Sequence, residues 1–409
     1  MPLIMQAIIL VGGKGTRLGA LTADTPKPMM DIAGRPFIKL LIDEVARHGF
    51  EDIILLCGHL AEKIYAIFDG MNVLNARVRC VIEPQPMGTG GALQQVANLL
   101  ADDFLLLNGD SLFDFNLLDL KTLALNQPWL AKVALRPLPD TGRYGTVSLD
   151  GERITSFAEK TSSGSGLING GVYMLRRDVL DYIQSIPCSL EKDILPRLVA
   201  EGKLYGRAYL GYFIDIGIPE DLQRAQLELS NRQRPTVFFD RDGVLNHDNG
   251  YTHRIEDFRW VEGGMEAIKL CNDRGWLAIV VTNQAGIARG YYDEPAVERL
   301  HAWMQEQLRA VGAHVDAFYF CPHHPEGTVP KLSITCDCRK PAPGMLLQAM
   351  DEWPVDRNRT CLIGDKPSDI EAARRAGING VIFHGENLLN LMTSITIFPP
   401  VTDGHHSIL

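Results

Sequence analysis

Two aspartates follow directly after a short apolar run in the second half of this 409-residue chain. Residues 236–239 are β-branched or aromatic, and Asp240 and Asp242 come next, before Gly243. The pattern predicts a strand that carries both carboxylates to its carboxyl end, where open parallel sheets bind ligands. Because side chains alternate along a strand, the two carboxylates can share one face. One could attack as a nucleophile while the other, with its pKa raised by its neighbour, transfers a proton. Alone, the stretch also fits a strand that ends in a polar turn.

Three later stretches supply groups that suit phosphoryl transfer. They are Thr282-Asn283 after an apolar run, Arg339-Lys340 before a proline, and Asp365 with Asp369 after a third apolar run. A transferring phosphoryl group needs an in-line nucleophile and neutralisation of its charged oxygens, which these hydroxyl, ammonium and carboxylate groups can provide. Read singly, Thr282 could be a helix cap and Lys340 a solvated surface lysine.

Taken together, the four stretches resemble the motifs of the haloacid dehalogenase superfamily of phosphohydrolases, over residues 236–384. The resemblance implies that Asp240 attacks phosphorus to form an aspartyl-phosphate and that Asp242 protonates the leaving alcohol and then activates water. It implies that Thr282 and Lys340 bind the phosphoryl group. It also implies a magnesium ion held by Asp240, the backbone carbonyl of Asp242, and Asp365, with Asp369 nearby.

Two short pairs of cysteine and histidine flank one loop in the same half. Cys321, His323, Cys336 and Cys338 provide three thiols and one imidazole, enough to fill a zinc tetrahedron. A full protein shell favours a structural metal over a catalytic one, and the loop leads directly to Arg339 and Lys340. His324 is the alternative histidine ligand. Free buried thiols are another interpretation, and a disulfide is disfavoured because nothing marks the chain as secreted.

A narrower resemblance comes from this loop together with Gly250-Tyr251, residues 282–290 and Cys338-Arg339-Lys340-Pro341. These stretches are similar to the D-glycero-D-manno-heptose 1,7-bisphosphate 7-phosphatases, with the histidinol-phosphate phosphatases as relatives. The resemblance implies that Asn283, Arg289 and Arg339 bind the phosphates or hydroxyls of the substrate.

The first half begins with a buried-strand pattern at residues 6–11 that runs into a glycine-rich loop. The loop contains Gly12, Gly13, Gly15 and Arg17, so backbone N–H groups can approach a phosphate closely beside a fixed positive charge. Strands at 52–57, 77–82 and 104–107 alternate with helices near 36–48, 60–68 and 90–100. This alternation predicts βαβ units on a parallel sheet.

Several further stretches of this half carry groups that could bind a nucleotide or a sugar. They are Lys27 in a proline-rich loop, Gly88 before a helix, Asp110 at a strand end, Arg143, Glu159-Lys160, Asn169-Gly170, and Asp215 before a helix at 219–233. Singly, Asp215 could be a loop aspartate and Glu159-Lys160 a solvated pair.

Together these residues resemble the sugar-1-phosphate nucleotidyltransferases over residues 2–230, nearest to those acting on mannose-type or heptose 1-phosphates. The resemblance implies that Gly12, Gly13, Gly15 and Arg17 cradle a nucleoside triphosphate and that Gly88 contacts the ligand. It implies that Lys27 neutralises charge near the α-phosphorus and that Asp110 and Asp215 hold magnesium. Glu159, Lys160, Asn169 and Gly170 would line the sugar site.

The length of 409 residues predicts at least two domains, and the strand–helix alternation with the two resemblances implies that both are α/β. We expect Rossmann-like parallel-sheet folds: a nucleotidyltransferase domain at 1–230 of glycosyltransferase A type, a linker at 231–235, a phosphatase domain at 236–385, and an unassigned tail at 386–409. The net charge of −10 argues against a nucleic-acid partner. No apolar run has the length of a membrane span and no signal sequence is evident, so we expect a cytoplasmic protein. An oligomer is possible.

The two resemblances predict one bifunctional enzyme that removes the 7-phosphate of heptose 1,7-bisphosphate and joins a nucleotide, with GTP favoured, to heptose 1-phosphate. A second interpretation pairs a histidinol-phosphate or other small phosphomonoester phosphatase with a mannose-1-phosphate guanylyltransferase. In a third, one half is a non-catalytic sensor or scaffold. A zinc-dependent nucleic-acid binder fits poorly because the chain is acidic and the Cys-x-His and Cys-x-Cys spacings differ from those of a zinc finger.

Overall fold

A boundary between Asn231 and Arg232 divides the chain into two units, each with its own sheet and core. The structure is a computed structural model, and it describes residues 4–13, 18, 19, 22, 24–142, 144–158 and 164–395. The first strand of the second unit begins at Arg234, inside the segment 231–235 that we expected to be a linker. The Arg234 N–H donates to Pro354 O at 2.6 Å, so the chain enters the second sheet at once.

The first unit is built from short strands and helices that alternate over its first half. Its strands are β1 (Gln6–Val11), β2 (Asp31–Ile32), β3 (Arg35–Pro36), β4 (Asp52–Cys57), β5 (Asn72–Val73), β6 (Ala76–Ile82), β7 (Asp103–Asn108), β8 (Ser111–Phe113), β9 (Ala131–Leu138), β10 (Thr146–Asp150), β11 (Arg153–Ala158), β12 (Gly166–Arg176), β13 (Leu204–Ala208) and β14 (Phe213–Asp215). Its α-helices are α1 (Phe37–Arg47), α2 (Ala61–Phe68), α3 (Gly88–Gln95), α4 (Asp119–Thr122), α5 (Leu195–Ala200) and α6 (Pro219–Leu229). Short 3₁₀ segments occupy Lys27–Met29 and Arg177–Tyr182, and a π-helical turn occupies Leu190–Ile194.

Ten of these strands form one mixed sheet in the order β10-β11-β13-β9-β12-β7-β1-β4-β6-β5. The strands β7, β1, β4 and β6 are parallel, as the βα alternation predicted. The long strand β12 pairs antiparallel with both β7 and β9. The predicted parallel sheet is therefore extended by an antiparallel part that the helix–strand alternation did not indicate.

The apolar run of β1 is buried because the sheet has a core on each face. Ile9 packs into one cluster of buried side chains and Ile8 into the other. Successive side chains of a strand point to opposite faces, so a strand covered on both sides must be apolar throughout. The same continuous burial in β4 and β7 holds their carboxyl ends, and the loops that follow them, at one edge of the sheet.

The second unit has a five-stranded parallel sheet in the order β17-β16-β15-β18-β19. Its strands are β15 (Arg234–Phe239), β16 (Leu277–Asn283), β17 (Ala317–Cys321), β18 (Val355–Gly364) and β19 (Asn379–Ile382). Its helices are α7 (Gly264–Asp273), α8 (Ala285–Ala288), α9 (Glu294–Ala310), α10 (Gly344–Glu352), α11 (Pro367–Ala376) and α12 (Leu388–Ser394), with a 3₁₀ turn at Ile255–Asp257. Phe238 faces one core cluster and Phe239 the other.

The last described helix, α12, packs onto the second unit. Leu388 and Met392 are buried in the same core cluster as Phe239. The first part of the segment left unassigned from the sequence, 386–409, is therefore part of the second unit, and residues 396–409 lie outside the described residues. In the described part of the chain, no helix combines the length and apolar character needed to cross a membrane.

Candidate active sites

The first candidate site is a cavity of about 690 Å³ in the first unit, at the carboxyl ends of the central parallel strands. Gly12 and Gly13, which follow β1, line it together with Lys27, Gly88 and Asp110. The turn after β4 approaches the glycine loop so closely that a Cβ on Gly58 would stand 2.7 Å from Gly12 Cα. Five residues singled out from the sequence thus line one cavity.

Lys27 joins the two aspartates of this site. Its ammonium lies 2.6 Å from Asp110 Oδ2 and 3.3 Å from Asp215 Oδ1. Asp110 follows β7 and Asp215 ends β14, so elements far apart in the sequence bring the carboxylates together. Burial raises the pKa of Asp215, the Asp110 carboxylate adds to the rise, and Lys27 opposes it. Two carboxylates around one site are the oxygen ligands that magnesium prefers.

Gly88 begins α3 beside the cavity with a positive φ of 77°. A Cβ there would stand 2.4 Å from Cys188 O. The position therefore requires glycine both for its backbone conformation and for its close contact with the chain before the π-helical turn.

Asn169 and Gly170 are not among the described residues that line the cavity, but Asn169 is connected to it through a partly buried network. Asn169 Nδ2 donates to the Tyr173 hydroxyl at 2.7 Å, and that hydroxyl donates to Glu191 Oε1 at 3.3 Å. Glu191, which does line the cavity, also accepts from Thr89 Oγ1 at 2.9 Å. Glu191 and Tyr173 were not identified from the sequence, because neither stands in a motif.

Four site residues inferred for the first half, Gly15, Arg17, Glu159 and Lys160, lie outside the described residues, as does Arg143. Their roles in the glycine-rich loop and the sugar site stay predictions.

The second candidate site is a cavity of about 460 Å³ at the carboxyl ends of the second sheet. Eight residues inferred from the sequence for this site line it: Asp240, Asp242, Thr282, Asn283, Arg289, Arg339, Lys340 and Asp369. The buried Lys340 ammonium lies 2.9 Å from Asp240 Oδ1 and 2.7 Å from Asp369 Oδ1. It also donates to Val281 O at 2.9 Å. Lys340 thus joins the end of β15, the last residues of β16 and the first turn of α11.

Asp365 lies beside this group, since oxygens of Asp240, Asp365 and Asp369 are all within 4.8 Å of one another. Burial raises the pKa of Asp240 to about 6, with the Lys340 ammonium opposing the rise and the Asp369 carboxylate adding to it. Burial likewise raises the pKa of Asp365. Asp365 Oδ1 is buried without a hydrogen-bond partner among the described residues. An unpartnered buried oxygen in a carboxylate cluster fits a divalent cation.

Asp242 is turned toward a set of donors. Arg241 NH2 donates to its two oxygens at 2.9 and 2.8 Å, Asn246 Nδ2 donates to Oδ1 at 3.1 Å, and Gln284 Nε2 donates to Oδ2 at 3.0 Å. Arg241 is fully buried and also donates to Thr252 O at 2.6 Å. The sequence did not identify Gln284 or Arg241 as site residues, although both are immediate neighbours of residues it did identify.

A second basic group lines the same cavity. Burial lowers the pKa of His324, and the guanidinium groups of Arg339 and Arg289 lower it further. Arg289 Nε is buried with no hydrogen-bond partner in the described chain. Positive charge is therefore present both at Lys340 and at this arginine pair.

The three thiols and one imidazole predicted as a metal site do converge. Ligand atoms of Cys321, His323, Cys336 and Cys338 all lie within 4.8 Å of one another. The Cys338 Sγ is 3.2 Å from Cys321 Sγ, 3.1 Å from Cys336 Sγ and 3.3 Å from His323 Nδ1. His324, the alternative ligand, lines the substrate cavity instead.

The loop closed by this cluster is hydrogen-bonded to the end of β16. Asn283 Nδ2 donates to Lys340 O at 3.0 Å, and the Lys340 N–H donates to Asn283 Oδ1 at 3.0 Å. The Gln284 N–H donates to Cys321 O at 2.8 Å. A metal in the cluster would hold Lys340 in place through these contacts.

Comparison with known proteins matches each unit separately. The nucleotidyl transferase family matches residues 6–232, and the HAD-hydrolase-like family matches residues 337–386. The structure of HddC from Yersinia pseudotuberculosis is similar with a TM-score of 0.50 and 32% identity, covering 55% of this chain and 99% of HddC. A second HddC structure, complexed with GMP-PN, matches equally well.

The second unit is similar to curated phosphatases. The D-glycero-beta-D-manno-heptose-1,7-bisphosphate 7-phosphatase of Rhodopseudomonas palustris is 46% identical over 156 residues, which are 38% of this chain and 87% of that protein. The D-glycero-alpha-D-manno-heptose-1,7-bisphosphate 7-phosphatase of Photorhabdus laumondii is 46% identical over 142 residues, which are 35% of this chain and 78% of that protein.

Proposed function

Because this chain belongs to the nucleotidyl transferase family and, through its second unit, to the heptose-1,7-bisphosphate 7-phosphatases, we propose that it performs two successive steps of nucleotide-sugar synthesis. The second unit releases the 7-phosphate of heptose 1,7-bisphosphate. The first unit joins a nucleotidyl group to the heptose 1-phosphate that remains. The observation that carries this proposal is the convergence of Asp240, Asp242, Thr282 and Lys340 on one cavity.

In the phosphatase step, an Asp240 oxygen attacks the 7-phosphorus as the bond from phosphorus to the sugar oxygen breaks. The proton that the leaving oxygen needs comes from Asp242. A water then attacks the aspartyl-phosphate, Asp242 takes its proton, and phosphate leaves with Asp240 restored. The Lys340 ammonium and the Thr282 hydroxyl offset the charge on the phosphoryl oxygens.

A bisphosphate suits the distribution of charge in this cavity. Lys340 neutralises the phosphoryl group that reacts, while Arg289 and Arg339 offer fork-shaped donors to a second phosphate. The unpartnered Arg289 Nε supports this role. Asn283 lines the same cavity, so it is placed in the proposal as a contact to substrate hydroxyls.

Magnesium is part of the proposal for both units. Asp240 and Asp365, with the Asp242 backbone carbonyl, would hold it in the second unit, and the unpartnered Asp365 Oδ1 supports that assignment. Asp110 and Asp215 would hold it in the first. A bound magnesium ion would offset phosphate charge, so that anions could approach one another.

In the first unit, the glycine loop and Lys27 bind the triphosphate while a sugar-phosphate oxygen attacks the α-phosphorus. The bond from the α-phosphorus to the bridging oxygen breaks, and pyrophosphate leaves. Lys27 neutralises charge near the phosphorus from its position between Asp110 and Asp215. The HddC structure named as a complex with GMP-PN supports guanosine as the nucleoside.

The Cys/His cluster is proposed to hold a structural zinc ion. Three thiolates and one imidazole fill a tetrahedral shell and leave no position for substrate. None of the eight cysteines of the chain forms a disulfide, which suits the reducing cytoplasm where nucleoside triphosphates are available, and we propose that location.

Purified protein incubated with magnesium, each nucleoside triphosphate and either anomer of heptose 1,7-bisphosphate tests the proposal. We expect phosphate release followed by a GDP-heptose, identified by mass spectrometry. Histidinol phosphate and mannose 1-phosphate serve as competing substrates. Faster turnover of both competitors would overturn the heptose assignment.

A further inference from the structure

One buried side-chain amide connects two groups of the phosphatase site. Gln284 Nε2 donates to Asp242 Oδ2 at 3.0 Å and to Thr282 Oγ1 at 2.9 Å. Gln284 is 1% exposed and is not among the described residues that line the cavity. Its amide therefore contacts the proposed proton donor and the proposed phosphate-binding hydroxyl from the protein interior and does not line the cavity itself.

The direction of this amide is fixed by chemistry. Asp242 Oδ2 accepts a hydrogen bond from the amide nitrogen, and an oxygen that carries no proton can do so in either protonation state of the carboxyl group. The Tyr292 hydroxyl donates to Gln284 Oε1 at 2.8 Å and holds the opposite end. Tyr292 packs directly over Gly286, where a Cβ would stand 2.2 Å from its ring. Helix α8 therefore needs glycine at Gly286 for this tyrosine to reach Gln284.

The amide determines where the Thr282 hydroxyl can point. A threonine hydroxyl has one hydrogen, and its oxygen here already accepts from Gln284. Within the described part of the chain, Thr282 Oγ1 makes no other side-chain hydrogen bond. Its hydrogen is therefore available to an acceptor in the cavity, where the phosphoryl oxygens would lie.

The amide also restricts the Asp242 carboxyl group. Arg241, Asn246 and Gln284 donate to it from three directions. The two nearest in sequence, Arg241 and Asn246, belong to the same turn as Asp242, whereas Gln284 belongs to the neighbouring strand end. Gln284 thus connects the turn that follows β15 to the end of β16.

We propose that Gln284 is a positioning residue for phosphoryl transfer, aligning the Asp242 carboxyl with the leaving oxygen and the Thr282 hydroxyl with the phosphoryl group. Tyr292 holds Gln284 in the required orientation. This inference rests on the proposed phosphatase function. In the step concerned, the Asp240–phosphorus bond forms, the bond from phosphorus to the sugar oxygen breaks, and the proton moves from Asp242 to that leaving oxygen.

Leaving-group dependence separates this role from a structural one. A sugar alkoxide needs a proton to leave, whereas p-nitrophenolate leaves without one. Misplacing Asp242 should therefore slow phosphoryl transfer from the sugar phosphate more than from the aryl phosphate. The experiment compares kcat/KM of Gln284→Leu for heptose 1,7-bisphosphate and for p-nitrophenyl phosphate, because kcat/KM covers the steps up to the aspartyl-phosphate. We expect a loss of about 100-fold for the sugar phosphate and about 10-fold for the aryl phosphate, the latter from Thr282.

Two further variants complete the test. Tyr292→Phe should give a smaller loss with the same dependence on leaving group. Gln305→Leu is the matched control, because Gln305 Nε2 donates to Val315 O at 2.7 Å and its Oε1 accepts from Val315 N at 2.9 Å, in the same unit but away from the cavity. It should lower the melting temperature and leave both kcat/KM values within about twofold of wild type, since it touches no reacting group.

Equal losses on the two substrates, or no loss, in Gln284→Leu would overturn the inference while the proposed function stands. Two results would overturn the proposed function and this inference with it. One is a wild-type protein that releases phosphate from neither substrate. The other is an Asp240→Asn variant that releases phosphate as fast as wild type.

Discussion

Lys340 Nζ lies 2.9 Å from Asp240 Oδ1, although a hundred residues separate them in sequence. Both side chains are buried, at 2% and 8% exposure. The same ammonium also pairs with Asp369, so one positive charge offsets two buried carboxylates. Lys340 is therefore important for the stability of the second unit as well as for its chemistry.

Lys340→Met should abolish detectable phosphate release and destabilise the second unit. Removing the ammonium leaves Asp240 and Asp369 uncompensated, and breaking a buried pair in this way costs about 3–5 kcal/mol. Denaturant unfolding and a phosphate-release assay measure the two effects. Lys269→Met is the control, because Lys269 pairs with Asp273 on the surface of α7, and its loss should cost less than about 1 kcal/mol. Retained phosphate release in Lys340→Met would contradict the assigned role.

Magnesium binding by the second unit should weaken as the pH falls below about 6. Burial raises the pKa of Asp240 to about 6 in the metal-free protein, and a proton on this carboxylate competes with the cation. Above that pH Asp240 is ionised, so magnesium can bind without displacing a proton from it. Calorimetry should show the apparent affinity falling by up to about tenfold per pH unit below it, with proton release on binding. An affinity independent of pH between 5 and 7 would count against Asp240 as a ligand.

Lys27→Met should reduce nucleotidyl transfer by about 10²- to 10³-fold, the usual effect of losing a charged group at a transferring phosphorus. It should leave phosphate release unchanged.

The same variant tests the metal ligands of the first unit. Lys27 opposes the rise in the pKa of Asp215, so its removal raises that pKa further and leaves two neighbouring carboxyl groups without a positive charge between them. Added magnesium should therefore raise the melting temperature of this variant more than that of wild type. The opposite order would argue against Asp110 and Asp215 as metal ligands.

Cys336→Ser should lower the metal content and the phosphatase activity together. The cluster closes the loop that carries Lys340, and Lys340 is held through Asn283 beside it. Elemental analysis should find about one zinc per wild-type chain and less than one in the variant. Nucleotidyl transfer should persist. Cys361→Ser is a control for loss of a buried thiol outside the cluster. Full zinc content in Cys336→Ser would exclude Cys336 as a ligand.

Both families and the α/β fold class were predictable from the sequence, because the acids and glycines follow apolar strands within a few residues. Asp240, Asp365 and Asp110 all stand at strand ends, and parallel strands bring such ends to one edge. The Cys/His cluster was predictable because its four ligands form two pairs, and the members of each pair are only two residues apart in sequence.

Contacts between distant segments were not predictable. Nothing near Glu191 in sequence indicates that it meets Tyr173, and the pairing depends on the antiparallel strand β12, for which the helix–strand alternation gave no indication. Gln284 stands beside Thr282 in sequence, but its contact with Asp242 depends on the register of β15 against β16. Such registers follow from the packing of the whole sheet.

The central claim is that each unit carries its own centre for chemistry at phosphorus. Its most direct test measures GDP-heptose formation from heptose 1,7-bisphosphate and from heptose 1-phosphate in Asp240→Asn, in Lys27→Met, and in a mixture of the two variants. We predict that Asp240→Asn forms GDP-heptose from heptose 1-phosphate but not from the bisphosphate. Lys27→Met should release phosphate from the bisphosphate but form little GDP-heptose. The mixture of the two variants should form GDP-heptose from the bisphosphate. Loss of nucleotidyl transfer from heptose 1-phosphate in a folded Asp240→Asn protein would contradict the claim.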